Sequence, residues 1–308
     1  MKINYYYLFY KISAFFCTLL LIFCFSRALI FFLPGNPIET LIAETGTKIP
    51  AEQLKKELKM DRPFLQGTIE DLYLMTHGNW GKSIINKRPI APLLKQRIFK
   101  TSQLALFTLM LGIVFSLIIG LLAAGNKTFL LSKLADTFCT YFGALSAALP
   151  TPWIGPILLY CLGVAFPIFP LENNIFLPAI TLSIGFIGLW SRLIRSRVKE
   201  TIRFGSAVGA RARGISEPKI FFNHGFMPAS GALLAYLGTQ IGGLLTGSFV
   251  VEIIFNWQGL GMLFIDSVFA RDYPIIQACV FTSALFSLLG NYLGDFLKFA
   301  VDPRGESD

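Results

Sequence analysis

Few residues in this chain could do acid–base or covalent chemistry. There are two histidines, His77 and His224, and five cysteines, Cys17, Cys24, Cys139, Cys161 and Cys279. All the cysteines fall inside apolar runs, none form a CxxC pair and the count is odd, so they read as buried structural thiols. Nothing here assembles a zinc-type cluster. His224 has no cysteine or carboxylate nearby at nucleophile–base spacing. The sequence contains no GxxxxGK[ST] loop to cradle ATP phosphates and no GxSxG or HExxH. Glu252 and Asp295 lie in apolar runs, where an ionisable group is a candidate for function because its charge is costly. Two isolated acids near the ends of such runs fit structural pairing or a cavity wall better than a proton relay. The chemistry on offer is recognition and movement, and no catalytic residue, cofactor or metal is expected.

The stretch best equipped for recognition is 198–233, VKETIRFGSAVGARARGISEPKIFFNHGFMPASGAL. Its first half is basic, through Arg203, Arg211 and Arg213. Ile202, Val208, Ala210 and Ala212 give that half a small, flat apolar side. Gly214 permits a sharp reversal that a side chain would resist. Ser216, with Glu217 and Pro218 after it, predicts a second short helix with a hydroxyl cap and a proline in its first turn. Ile220, Phe221 and Phe222 are expected to pack back towards the membrane. A solvated basic loop touching lipid headgroups is the plain reading of this stretch. A docking hairpin for a cytoplasmic partner is the sharper one.

The elements that hold this loop are apolar. Of 308 residues 54% are hydrophobic and 15% charged, against about a quarter charged in soluble domains; mean hydropathy is +0.61. Runs of roughly 20 apolar residues, each long enough to cross a bilayer, fall at about 12–33, 104–124, 138–166, 176–194, 233–255 and 275–301. These predict an all-α polytopic membrane protein with six transmembrane helices. The first run continues to Leu33, too long for a cleaved signal peptide. It is interrupted by Arg27, which has no partner visible in the sequence. The third contains Pro150, Pro152 and Pro156 and is expected to be kinked or broken. Gly238, Gly242, Gly243 and Gly247 in the fifth predict close helix approach. Residues 34–100 form an extracytoplasmic segment in which AEQLKKELKM has helical spacing and Asp61-Arg62-Pro63 stops it. The net charge of +9 is spread over several loops, which speaks for cytoplasmic Lys and Arg bias and against nucleic-acid binding. Lys2, Lys11, Lys127, Lys133, the 198–233 stretch, Lys298 and Arg304 share one side. The loop near Glu172 and the turn near Asp266, Arg271 and Asp272 share the other. The positive-inside rule then puts both termini in the cytoplasm. The organisation is a tail and first helix over 1–33, the segment 34–100, a five-helix core over 101–301, and a cytoplasmic tail over 302–308.

GARARGISEPKIFFNHGF within the polar stretch resembles the cytoplasmic loop of binding-protein-dependent ABC importer permeases, with their E-A-A-x-x-x-G signature. Ala210, Arg211, Ala212, Gly214 and His224 match the dipeptide/oligopeptide and nickel branch, in particular its oligopeptide permease B-like subunit. Val208 and Gly209 stand where the general signature has Glu-Ala, and Pro228 lies upstream of the proline expected near 232. LPGNP (33–37), ELKMDRP (57–63), GNWGKSI (78–84), RPIAPLLKQRI (88–98), the block 237–277 and VDPR (301–304) are also similar to that branch. The resemblance implies a type I importer permease fold and makes 198–233 an ATPase-coupling loop carried by Ala210, Arg211, Ala212, Gly214, Ile215, Ser216 and His224. It implies two ATP-binding cassette ATPase subunits as partners, a second and distinct permease subunit, and an extracytoplasmic solute-binding protein. It implies a bacterial inner membrane, and small peptides as solute. Nickel or another small solute is the same-branch alternative. An ion-coupled secondary transporter is the alternative from another class; it would need matched intramembrane charges in two repeats, and no such repeat is found.

The block NWQGLGMLFIDSVFARDYP after the fifth run is expected outside. Gly259 and Gly261 are read as bending the chain, and Asp266, Arg271 and Asp272 as offering exposed charge. It is either a turn that caps the fifth span against the sixth or a docking and gating surface for the external binding protein.

Overall fold

A computed structural model describes residues 5–32, 42, 52, 63–125, 129–171, 174–204 and 206–301. The described elements are helices. They are α1 (Tyr5–Phe32), α2 (Phe64–Thr76), α3 (Ile90–Ala124), α4 (Leu130–Ala148) and α5 (Thr151–Leu159), which runs into a π-helical turn, Tyr160–Ala165. Then come α6 (Phe176–Arg203), α7 (Ser206–Ala212) and α8 (Glu217–Ile220), followed by a second π turn, Phe221–Phe226. Last are α9 (Met227–Ile254), α10 (Leu260–Phe269) and α11 (Tyr273–Val301). Strand pairing among the described residues is limited to one isolated bridge, Lys82 with Pro89. The 51–60 helix, the 33–37 and 301–304 motifs and Glu172 lie wholly or largely outside the described residues.

Among the described residues, four helices have apolar stretches that could cross a membrane: Phe9–Ala28, Ile90–Ala124, Phe176–Arg203 and Tyr273–Phe296. A fifth span arises if Leu130–Ala148 and Thr151–Ala165 count as one, though they meet at 105°. Over the fifth predicted run lies α9, whose apolar part is Gly242–Ile254. The third predicted run is thus broken outright, and its first helix starts at Leu130 instead of near 138. Leu149 and Pro150 are both extended, with ψ of 120° and 134°. Pro150 disfavours helical ψ at the residue before it and cannot donate to the turn behind it. Pro152 then sits in the first turn of α5, where no N–H is needed.

The chain divides into two compact units. In the first, Met1–Thr101 with Gln258–Leu288, the Arg27 guanidinium pairs with Asp71 of α2, the partner that the sequence did not reveal. Phe23 meets Phe281 edge to face at 5.7 Å, and Trp80 lies 6.0 Å from the same ring. The Leu260 amide donates to Thr101 Oγ1 at 2.8 Å.

In the second unit, Ser102–Trp257 with Leu289–Asp308, one core joins Leu104, Leu177, Ala179, Leu182, Val251, Phe255 and Trp257. Another joins Ala124, Ile194, Val198, Ala229 and Leu233. Close helix approach occurs between α4 and α6. A Cβ on Gly188 would stand 1.8 Å from Ser146 Oγ, and one on Gly143 would stand 2.1 Å from Arg192 Cδ. The glycine-rich part of α9 does not provide it at Gly243, where a Cβ would meet nothing within 4 Å. Glu252 is fully buried and accepts a hydrogen bond from Ser248 Oγ at 3.2 Å.

Candidate functional site

The last turns of helix α6 keep Val198 and Ile202 against an apolar core while carrying polar residues beside them, and the helix ends where Phe204 becomes extended. Its last part is anchored from two sides. Asp136 of α4 is bonded by Arg195 Nε and by Lys199 Nζ, the latter at 2.7 Å. The Thr201 hydroxyl lies 2.9 Å from the Gly225 carbonyl across the loop. Gly225 is needed there for space, because a Cβ would come within 2.8 Å of Ile202 Cγ1.

The hairpin itself is α7, a turn at Gly214, and α8. The Gly214 amide donates to Arg211 O at 2.9 Å and the Ile215 amide to Ala210 O at 3.1 Å. Gly214 has φ +75°. This is the Schellman arrangement: a left-handed glycine just past the helix closes the last free carbonyls, and the residue after it packs back on the helix. Ile215 duly packs on buried Ala207, Ala210 and Ile220. No neighbour crowds Gly214, so the turn demands glycine for its backbone angle and not for room.

An ion-pair fork spans the turn. Arg211 Nε and Nη2 reach the two Glu217 carboxylate oxygens at 2.7 and 3.2 Å, and Arg211 Nη1 reaches Ile202 O at 3.0 Å. The hydrogen bond from Arg211 lowers the Glu217 pKa, and the same bond raises that of Arg211. Both groups are exposed, so the fork orders the turn more than it stabilises the fold. His224 Nδ1 lies 3.1 Å from Ser206 Oγ and joins the second π turn to the start of α7.

The expected site residues therefore divide. Arg211, Ala212, Gly214 and Ser216 are exposed and Ile215 half-buried. Ala210 is fully buried and belongs to the inside of the hairpin, so it does not share an outer side with Val208 and Ala212. The Ser216 hydroxyl makes no capping bond; its backbone carbonyl instead accepts from the Ile220 amide at 3.0 Å. Phe222 is exposed, while Ile220 is buried and Phe221 packs on the membrane-side core. The outward large apolar groups are Phe204, Val208, Phe222 and Met227, with Arg213 also exposed. Glu217, Ala207 and Gly225 escaped the reading by motif. The signal for Glu217 was there, an arginine and a glutamate flanking a glycine.

The outer turn departs from expectation. Gly259 has extended backbone open to any residue, and Gly261 lies inside α10, so neither bends the chain by glycine's special freedom. Asp272 is 3% exposed. It accepts from Ser83 Oγ and, at 3.2 Å, from the Ile84 amide. Asp266 and Arg271 remain exposed.

A cavity of about 250 Å³ opens among α3, α6 and α9, lined by Ile113, Trp190, Leu193, Phe226, Leu233 and their neighbours. None of its lining residues is charged, so nothing there matches the termini of a peptide. No cluster that could hold a metal ion occurs among the described residues.

Residues 112–306 match the family model described as binding-protein-dependent transport system inner membrane component. Among curated proteins, the oligopeptide transport system permease protein AppB of Bacillus subtilis (strain 168) is 32% identical over 289 residues, covering 89% of this chain and 90% of the relative. The nickel import system permease protein NikB of Staphylococcus aureus (strain COL) is 30% identical over 275 residues, covering 88% of this chain and 83% of the relative. Among solved structures, that of an amino acid ABC transporter with histidines matches with a TM-score of 0.56 at 18% identity, over 68% of this chain and 94% of the other. At that identity the likeness speaks for the fold.

Proposed function

The chain belongs to the family of inner membrane components of binding-protein-dependent transport systems, and on that premise we propose that its 198–233 hairpin is where ATP hydrolysis in partner subunits enters the membrane. The protein is a transmembrane permease subunit of an ATP-binding cassette importer, a transport component and not a catalyst. Its proposed partners are two ATPase subunits, a second and distinct permease chain, and an extracytoplasmic binding protein. Its proposed setting is a bacterial inner membrane with both termini in the cytoplasm.

One observation carries the coupling proposal. The hairpin is short, outward and held at every joint: the Gly214 turn, the Arg211–Glu217 fork, the Thr201 contact to Gly225 and the Asp136 pair. A lever needs that stiffness, because a floppy loop would absorb a push without moving the helix behind it. Val208, Ala212, Arg213 and the turn at Gly214 form the contact face. Ala210 and Ile215 support it from within, and Ser216 and His224 fix its ends. As α6 and the hairpin move together, the push reaches α4 through Asp136. On the outer side, Asp266 and Arg271 are the proposed docking groups, with Asp272 holding the turn against Ser83 and Ile84.

Small peptides are the proposed solute, on the strength of AppB's name. Nickel is a second reading, because NikB is similar at nearly the same identity. The test is binding of each solute to the cognate external protein, followed by uptake into vesicles holding the assembled transporter. Peptide uptake competed by unlabelled peptide and indifferent to nickel supports the first reading; the reverse supports the second.

A further inference from the structure

Helices α4 and α6 of the second unit pair antiparallel, and contacts at three levels fix their register. Gly188 meets Gly143 and Ser146, Cys139 Sγ lies 3.6 Å from Ser191 Oγ, and Asp136 takes Arg195 and Lys199. Both helices change character at the last of these levels. On α4, Lys133 and Asp136 are followed by no further charged residue. On α6 none precedes Arg192. Arg195 stands about 28 Å along its helix from Phe176 at 1.5 Å per residue, close to the ~30 Å of a bilayer's hydrocarbon. The Asp136–Arg195 pair therefore marks the hydrocarbon boundary on the side of the hairpin.

Arg192 lies on the membrane side of that pair. Its Cγ and Cδ fill the space that a side chain on Gly143 would need, and Gly143 is about 10 Å past Asp136 along α4. The side chain thus points into the span and away from the headgroups. It is exposed, and among the described residues its guanidinium has no hydrogen-bond or ion-pair partner. A charge inside a span faces a water-filled space or a counterion, because hydrocarbon cannot hold it cheaply. The surroundings fit water. Gly185, Leu189, Arg192 and Ser196 share one side of α6, with a single large apolar group among them, and a Cβ on Gly185 would meet nothing within 4 Å. The bulky exposed row Leu134, Phe138, Tyr141 and Leu145 lies on a different side of α4 from Gly143, where it suits lipid.

We propose that Arg192 lines a water-filled solute path and pairs with a carboxylate of the solute on its way through. It favours carboxylate-bearing solutes, peptides among them, and repels a bare divalent cation. A guanidinium suits this task, since its fork matches a carboxylate in two parallel hydrogen bonds. The inference rests on the importer reading above and deepens it by naming the solute group that the path recognises.

Two experiments test it. The first probes the path without any solute, in vesicles holding the assembled transporter. The five native cysteines are replaced by alanine, and Gly185→Cys is treated with two membrane-impermeant methanethiosulfonates, one anionic and one cationic. The proposal requires reaction with both, the anionic reagent being favoured several-fold more than it is by a free thiol. Arg192→Gln should abolish that preference and Arg192→Lys should keep it. A thiol that neither reagent reaches, whether it faces lipid or is covered by a partner chain, overturns the proposal, and so does a preference that ignores Arg192.

The second experiment keeps the native cysteines and follows uptake of a peptide and of the same peptide amidated at its C-terminus. The binding protein is the same throughout, so a changed ratio belongs to the permease. Arg192→Gln should reduce the advantage of the free carboxylate several-fold, and Arg192→Lys should retain most of it. Equal uptake of the two by wild type, or equal losses of both in Arg192→Gln, would overturn the recognition of a carboxylate. Wild type that imports neither peptide, with Gly185→Cys labelled as required, would sink the peptide reading while the path at Arg192 stands.

Discussion

Gly209 and Gly214 stand five residues apart in one short motif and need glycine to different degrees. Gly214 has φ +75°, while Gly209 lies in α7 with ordinary helical backbone, and a Cβ added to it would meet nothing within 4 Å. Replacing Gly214 by alanine forces a side chain into the left-handed region at a cost of about 1–2 kcal/mol. Valine there should be worse, because a branched side chain crowds further. Gly209→Ala should be tolerated and should favour α7 by up to about 1 kcal/mol. ATPase retention during purification reads both: lost or weakened for Gly214→Val, unchanged for Gly209→Ala. Equal effects would contradict the turn. The fork gives a pH prediction. Glu217 is held below its ordinary value of 4.5, so its contribution is complete above that value and fades as pH falls through the lower folded value. The protection of the Gly214 and Ile215 amides against hydrogen exchange should therefore fall in acid towards that of Glu217→Gln, in which it is low throughout and this acid dependence is lost. The Gly214 reversal was legible because only glycine makes it cheaply. The inward position of Ala210 was not, since an alanine looks the same on either face of a short helix.

Among the elements, the α4–α6 seam is the part most sensitive to volume. Ser146 Oγ would stand 1.8 Å from a Cβ on Gly188, so Gly188→Ala should overpack the seam and cost about 1–3 kcal/mol. Adding Ser146→Gly should restore much of the loss, which a thermal denaturation series on detergent-solubilised protein would show. Failure of the second change to rescue the first would mean that the helices are not in this register. Asp136 lies on the same two helices' seam, and Asp136→Asn should leave the protein inserted while lowering uptake per ATP hydrolysed, because Arg195 and Lys199 lose the carboxylate that joins α6 to α4. The apolar runs were legible as helices because length and hydropathy are local properties. The break at Leu149-Pro150 was foreshadowed by the prolines. The seam was not, because it depends on which helices become neighbours, and glycines in α9 looked better suited to it. Asp272 shows the same limit: an aspartate in a polar turn reads as exposed, and only its tie to Ser83, 189 residues away in the chain, buries it.

At the scale of the whole molecule the chain is one component of a transport system. The family to which it belongs works with ATPase and binding-protein partners in general, and the 198–233 hairpin is the place we propose for the energy of ATP hydrolysis to enter. Both the absence of a nucleotide-loop motif and the presence of the hairpin could be read directly from residues. The solute could not, because no charged pocket is encoded by a short motif and the cavity of the second unit is apolar. The decisive measurement is uptake and ATP hydrolysis together in vesicles holding the chain with its proposed second permease and ATPases, with the binding protein added on the side of the permease's outer face. Wild type should hydrolyse ATP faster when loaded binding protein is present and should accumulate solute in step. Gly214→Val should stay inserted and lose that accumulation. Uptake that continues without any ATPase and collapses on adding an ionophore would contradict the account.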